Sequence, residues 1–309
     1  MANNPAAYLQ AADIVAYGVP SATPAQVIQA SRLVDVITGR PRSGFVWVPD
    51  AAGRPCYMAS AEPEMTYTAG SAFGPGTNVA VQVQALPLNP ELIGTVVVLD
   101  RATPAVLEAA VVVGVNTGVV GNLILDRVVY AHASGSLMET GMQVFEERFL
   151  SDARSLARVA QWPVVDVRSA YGRYSYGRRS QQIQGNFSEF NLLAILQNFG
   201  GPPAWIPVDV TQLGINRLTG EMWVPAGVLL AYYSDFRVYY VAGWSQANLP
   251  STIKQATANI VQNTILGAGS SSMFRMMKAG ETALERFADS AVDDGTRHML
   301  QPFKANSFI

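Results

Sequence analysis

Between Ala105 and Leu125 the chain carries valines at positions 106, 111, 112, 113, 115, 119 and 120. No other feature restricts the fold as strongly. β-Branched side chains lose rotamer freedom on a helix and pack well on a pleated, half-buried surface. The run is long and apolar enough to mimic a membrane span, but Glu108, Asn116 and Asn122 interrupt it. Asn116-Thr117-Gly118 offers turn chemistry between two valine runs. The stretch therefore reads as a buried β-hairpin.

The same language extends around it. From Gly44 to about Tyr130 the pattern has period two and short β-branched runs: Phe45 to Val48, Pro55 to Met58, Met65 to Thr68, Asn78 to Leu86 and Thr95 to Leu99. Thr77, Val79, Val81, Val83 and Ala85 alternate with Asn78, Gln82 and Gln84, and Gly74-Pro75-Gly76 and Pro87 to Pro90 punctuate the gaps. An antiparallel sandwich or barrel follows. Strand patterning resumes at Val164 to Ser169, Met222 to Val224 and Val228 to Ala242. Residues 151 to 161 read as a short helix through Leu156, Val159 and Ala160, ended by Pro163. Gly185 to Asp209 reads as an irregular loop with a helical piece at Phe190 to Phe199.

Helical signals sit towards the two ends. A short helix is expected within Ala6 to Tyr17. Thr23-Pro24 with Gln26 forms a capping box ahead of Val27, Ala30, Val34 and Ile37, and Gly39 stops the run. Leu249-Pro250-Ser251 opens a second helix with a stripe of Ile253, Ala256, Ile260, Val261, Thr264 and Ile265, ending before Gly267. Met273 to Asp289 reads as helical, divided by Gly280. Asp293 caps a last short helix reaching Leu300, and Pro302 to Ile309 reads as an extended tail.

Charge excludes several functions. The chain has 21 Lys+Arg against 23 Asp+Glu, a net charge of -2, and only 14% charged residues. This leaves no electrostatic footprint for nucleic acid or an anionic membrane. One cysteine, Cys56, and two histidines, His132 and His298, make neither a disulfide framework nor a structural zinc site. No metal and no cofactor are expected. Met1 to Gln10 carries no secretory pattern, so a cytoplasmic origin is expected.

The familiar catalytic signatures, G-x-S-x-G, the P-loop, H-E-x-x-H and G-x-G-x-x-G, do not occur. Serines near either histidine could complete a Ser/His/Asp set in space, but a lone histidine is more often structural or solvated. Glu146-Glu147 and Asp293-Asp294 are adjacent pairs, which a solvated face or a helix cap explains better than a glycosidase cleft. The chain is expected not to be an enzyme.

Two surfaces stand out instead. Tyr171 to Arg179, YGRYSYGRR, interleaves Tyr171, Tyr174 and Tyr176 with Arg173, Arg178 and Arg179. Such a loop grips a protein partner or stacks on bases, and the neutral chain favours the protein. On the helix after Pro250, the side away from the stripe is Lys254, Gln255, Asn259, Gln262 and Asn263. This nearly uncharged face suits a subunit contact or a channel wall.

Arg237 to Ile265, RVYYVAGWSQANLPSTIKQATANIVQNTI, resembles the last strand and following helix of the small head-to-tail connector proteins of tailed phages. Val238, Tyr239, Gly243, Trp244, Pro250, Ile253, Lys254, Gln255 and Ala256 carry the likeness. Trp162 to Val167 resembles that family's PV-x-V strand, GEMWVPAG at Gly220 to Gly227 the strand before the corner, and Ala30 to Asp35 with Gly39-Arg40 its first helix. Arg297 to Lys304 resembles its closing R-x-L-L-x-P-Y/F-K/R. The blocks follow in order over about half the chain, whereas members of the family are usually shorter and mainly helical.

The resemblance implies a virion neck protein made in the host bacterial cytoplasm: a ring, usually of twelve copies, below the portal protein and above a downstream neck or tail protein. Viral DNA would pass through it without sequence-specific binding, and no membrane would be involved. The tail implied to bind the portal carries Leu300, Pro302, Phe303, Lys304 and Phe308. The expected fold is α+β, a small helical adaptor core with a β-sandwich or barrel-like insertion and an extended C-terminal tail. The expected parts are 1–48, the insertion 49–155, core strands 156–248 with the irregular loop 185–210, helices 249–300 and tail 301–309. Other β-rich virion roles, a tail terminator, baseplate or decoration protein, stand as the alternative, with a carbohydrate-active enzyme behind them.

Overall fold

A computed structural model of the chain describes residues 7–39, 57–58, 66–84, 88, 92–117, 121–150, 156–173, 204–225, 233–244, 249–269, 276–279, 282–285 and 292–305. The fold is mixed α and β, with few helices and several antiparallel sheets. It divides into two compact units: Met1–Phe45, Ala61–Met65 and Trp244–Ala305 form one, and Val46–Ser60, Thr66–Gly243 and Asn306–Ile309 the other. The Phe45 to Val48 strand, the Phe190 to Phe199 helical piece and Cys56 lie outside the described residues. No helix among the described residues is long and apolar enough to cross a membrane.

The first unit carries the longer helices and one two-stranded hairpin. Helix α1 is Ala11–Ala16, α2 Pro24–Thr38, α3 Ser251–Gly269 and α4 Asp294–Leu300. The expected capping box forms: Thr23 accepts from the Gln26 N–H, and the Gln26 side chain accepts from the Thr23 N–H at 2.9 Å. Gly39, at φ 67°, ends α2 in the left-handed region. Asp293 caps α4 by accepting from the Thr296 N–H. Val27, Ala30 and Val34 of α2 share one core with Ile253, Ala256, Ile260 and Val261 of α3 and Leu300 of α4. The segment before α1 is tied in by Tyr8, whose N–H donates to Ser31 Oγ at 3.0 Å and whose hydroxyl donates to buried Asp35.

The second unit is built from strands. Six of them, β2 (Thr66–Thr68), β3 (Gly76–Gln82), β4 (Val96–Leu99), β5 (Glu108–Asn116), β6 (Asn122–Val128) and β7 (Leu137–Thr140), lie in the order β2-β7-β4-β5-β6-β3. The sheet curls into a half-barrel whose outer strands meet at one end, where Gly70 N–H donates to Gln82 O at 2.8 Å and Gln84 N–H to Thr68 O at 3.0 Å. The hairpin expected from the valine stretch is β5–β6, closing on Asn116↔Asn122.

A five-stranded sheet runs β1 (Tyr57–Met58), β8 (Met142–Phe149), β14 (Asp235–Ala242), β10 (Val164–Arg173), β11 (Ile206–Val208). A smaller one runs β12 (Gly214–Asn216), β13 (Glu221–Trp223), β9 (Leu156–Arg158). Phe236, Val238, Tyr240 and Ala242 point from β14 into a core with Ala157, Val159, Leu213 and Met222. On the opposite face Val165 and Val241 pack against Val96, Val98 and Ala109 of the half-barrel. Strand β4 thus has no free face, and all four of its residues are fully buried. Gly141 permits the approach, since a Cβ there would lie 2.7 Å from Val241 and 2.9 Å from Val98.

Four expectations need correction. Leu156–Arg158 is strand β9, not part of a helix: Ala157 pairs with Met222, Val159 N–H donates to Gly220 O at 2.9 Å, and a partner strand overrides the local helical spacing. Within Met273 to Asp289, β15 (Met276–Ala279) and β16 (Thr282–Glu285) pair antiparallel from Ala279↔Thr282 outwards, so Gly280 falls between strands. Helix α3 continues past Gly267 to Gly269. Gln301–Phe303 is a 3₁₀ turn, and extended backbone begins only at Lys304.

The adjacent acids Glu146 and Glu147 lie on a strand, so they point to opposite faces. Glu146 is buried in the core, accepting from Ala160 N–H at 2.9 Å, Tyr240 Oη–H at 3.2 Å and Arg148 Nη2 at 3.2 Å. Burial raises its carboxyl above the ordinary 4.5, with Arg148 and the Ala160 N–H opposing the shift. A carboxyl raised on folding holds its proton more tightly folded than unfolded. Its contribution therefore opposes folding above the raised value and is relieved as pH falls through it towards 4.5. Thermal melts of the wild type and Glu146→Gln from about pH 4.5 to 7.5 should show the wild type gaining on the variant as pH falls.

Candidate functional site

The face of the five-stranded sheet turned away from the Phe236 core is set by register. Tyr171 pairs with Arg237 and Arg237 with Glu147 across three strands; Arg173 pairs with Asp235, and Tyr239 with Phe145. These residues alternate with the buried set, so their side chains share the outer face. Val165 and Val241 at one end of this face are covered by the half-barrel. At the other end Phe145, Glu147, Arg237, Tyr239 and Trp205 are half-buried and Tyr171 is exposed.

Trp205 is the centre of this exposed end. Its ring lies 4.6 Å from the Arg173 guanidinium and 4.4 Å from that of Arg237. Arg237 donates through Nε to Glu147 Oε1 at 2.9 Å and through Nη2 to the same oxygen, while Arg173 Nε donates to Asp235 Oδ2 at 3.3 Å. Beside them the Phe145 and Tyr239 rings stack at 4.1 Å, and Tyr239 Oη donates to Gln143 Oε1 at 2.8 Å. Burial raises the Tyr239 phenol above its ordinary value. Two guanidiniums against two carboxylates leave this patch neutral. Tryptophan, tyrosine and arginine held in place are the composition of protein-interface centres, and guanidiniums already matched are poorly placed to grip phosphate.

Of the expected interface loop, Tyr171 and Arg173 belong to this patch, while Tyr174, Tyr176, Arg178 and Arg179 lie outside the described residues. Trp205 was not singled out from the sequence, and Glu147 stood out only as half of an adjacent acidic pair. A tryptophan directly after Pro202-Pro203-Ala204 was the available signal, but its two arginine partners lie 32 residues either side of it, at 173 and 237, and only strand pairing brings them together.

In the first unit, three of the five residues expected on the free side of α3 meet other elements, and a fourth, Gln255, donates to Asn259 Oδ1 at 3.0 Å. Lys254 Nζ pairs with Asp13 at 2.9 Å, Asn263 donates to Asp293 at 3.2 Å, and Asn259 contacts Met299 Sδ at 3.9 Å. Gln255 and Gln262 remain exposed, with Ser251 and Leu266 on the same side. In the tail, Leu300 is fully buried, and Phe303 packs edge-on against Trp244 at 5.9 Å. Pro302 and Lys304 are exposed, and Phe308 lies outside the described residues.

His132 is not a catalytic base. Its side chain is fully buried, Nδ1 lies 2.8 Å from Asp100 Oδ2, and Nε2 lies 2.8 Å from Glu108 Oε1. The nearby Ser136 hydroxyl donates at 2.8 Å to the same Asp100 Oδ2 that the imidazole meets. Glu108 also accepts from Val129 N–H at 2.8 Å and Tyr130 N–H at 2.9 Å, and Phe73 stacks on the ring at 4.8 Å. A nucleophile has no ring nitrogen to use, and the group knots three loops together. His298 is exposed on α4. No protein-family model matches the chain, and no curated protein matches it.

Two outcomes follow from this geometry. Trp205→Ala should leave the fold intact at a cost of about 1–2 kcal/mol from two lost cation–π contacts, read from a denaturant midpoint. His132→Ala takes their shared partner from buried Glu108 and half-buried Asp100 and should cost roughly 3–5 kcal/mol by the same measurement.

Proposed function

We propose that the chain is a structural neck protein of a tailed phage, a head-to-tail adaptor that forms a ring, of twelve copies as its resemblance implies, below the portal. What carries this reading is that the resemblance blocks, far apart in sequence, adjoin one another. Trp244 of the strand-to-helix corner packs on Phe303 of the closing block, Gly243 N–H donates to Pro163 O of the PV-x-V block at 2.9 Å, and α2 of the front block shares its core with α3 and Leu300.

The geometry also sharpens the reading. With Phe303 held by Trp244, a tail that reaches a portal starts beyond Ala305. The wall offered to passing DNA or to the next copy is the uncharged strip of Ser251, Gln255, Gln262 and Leu266. The Trp205 patch is the surface for a further virion protein on the tail side or the outside of the neck. A neutral aromatic and arginine patch on a β-rich body also suits a tail terminator, baseplate or decoration protein, which keeps that role as the second reading.

Deleting the gene from the parent phage and imaging the lysate by electron microscopy tests the assignment. Filled or empty heads accumulating apart from tails are expected. Complete, infectious virions would overturn an essential connector role.

A further inference from the structure

The outer face of the small sheet β12-β13-β9 has a make-up that neither reading uses. Ile215, Met222 and Ala157 turn inward to the Phe236 core, so the residues alternating with them face out. Register sets these in two rows: Gly214, Trp223 and Leu156 abreast, then Asn216, Glu221 and Arg158. Trp223 is 44% exposed although it sits on the middle strand. Gly214 leaves one flank of the indole open, since a side chain there would begin 3.4 Å from Trp223 Cβ and 3.7 Å from its Cε3. In the second row Arg158 Nη2 donates to Glu221 Oε1, which holds both side chains in place yet occupies only one carboxylate oxygen and one N–H.

The size of this face restricts what it can hold. Three strands by three residues span roughly 10 Å by 7 Å, far below the roughly 800 Å² that each side of a stable protein interface buries. A sugar ring is of the right size and chemistry. One side of a pyranose is a sheet of C–H bonds, which the electron-rich face of an indole attracts, and its rim is hydroxyls. Those hydroxyls would meet the second row, about 7 Å along the strands. There the other Glu221 oxygen accepts and the outer Arg158 N–H groups donate. The pair cancels in charge, which suits an uncharged ligand. We infer that this face binds a neutral pyranose saccharide, with Trp223 as the stacking platform and Glu221 and Arg158 as the hydroxyl-binding pair. The face carries a single carboxylate, so it holds sugar without cutting it, because glycoside hydrolysis takes two.

The full chain has five tryptophans, so nitrogen-15 labelling gives five indole signals, and Trp223→Phe identifies the one from Trp223. Cellotriose, maltotriose and chitotriose, titrated separately into the full chain, present three different arrangements of hydroxyls and linkages. At least one should move the Trp223 signal saturably, with millimolar affinity, and leave the other indole signals in place. Saturation transfer from the protein to that sugar should vanish in Trp223→Ala and in Gly214→Leu, whose thermal melts should match the wild type. Arg158→Ala should weaken the binding about tenfold, the effect of one charge-assisted hydrogen bond. A Trp223 signal that none of the three sugars moves would overturn the inference, and the wild-type titration alone decides this. A Trp223 signal that moves with protein concentration in the absence of sugar would also overturn it, giving the face to a second copy of the chain.

Discussion

A strand without a free face organises the β-rich unit. Val96 to Leu99 sends two side chains into the half-barrel and two against the five-stranded sheet, so both of its faces are covered. In most antiparallel sheets one face meets water and a one-residue slip moves a whole apolar row outwards. Here a slip of β4 would exchange one buried row for another and break the fit at Gly141, where there is no room for a Cβ. The arrangement of β8, β10 and β14, and the surface they present, are consequences of that fixed seam.

The helical unit rests on different physics. Its elements are short or moderate in length and carry little charge, and their ends are set by side-chain caps at Thr23 and Asp293 and by the left-handed Gly39. Those signals are local in sequence, which is why α2 and α4 were legible to within a residue. The β5–β6 hairpin was legible for the same reason, through a turn flanked by valines. Where the sequence misled, the deciding partner was remote. Leu156 to Arg158 has helical spacing yet pairs with a strand more than sixty residues away, and Met276 to Glu285 depends on pairing across Gly280.

The candidate site divides along the same line. Tyr171 and Arg173 could be picked out because aromatic and arginine residues are adjacent there, but Trp205, Arg237 and Glu147 are united only by strand register. Lys254, Asn259 and Asn263 looked free because helical periodicity shows which residues share a face and not what lies against it. Their partners, Asp13, Met299 and Asp293, come from other elements. His132 is the sharpest case: nothing near it in sequence announces Asp100 or Glu108, and two carboxylates from separate strands' ends make a buried histidine structural.

The stacking of Trp205 on Arg173 has a consequence for how this chain can vary. Arg173 closes β10 and Trp205 precedes β11, so the contact between them fastens the neighbouring ends of two paired strands at one point. The entropy of closing a loop grows only with the logarithm of its length. Once both ends are fastened, residues can be added or removed between them at small thermodynamic consequence to the sheet. The sheet end at Arg173 and Trp205 therefore tolerates a change in the number of residues between them, while the valine seam beneath is held by packing alone.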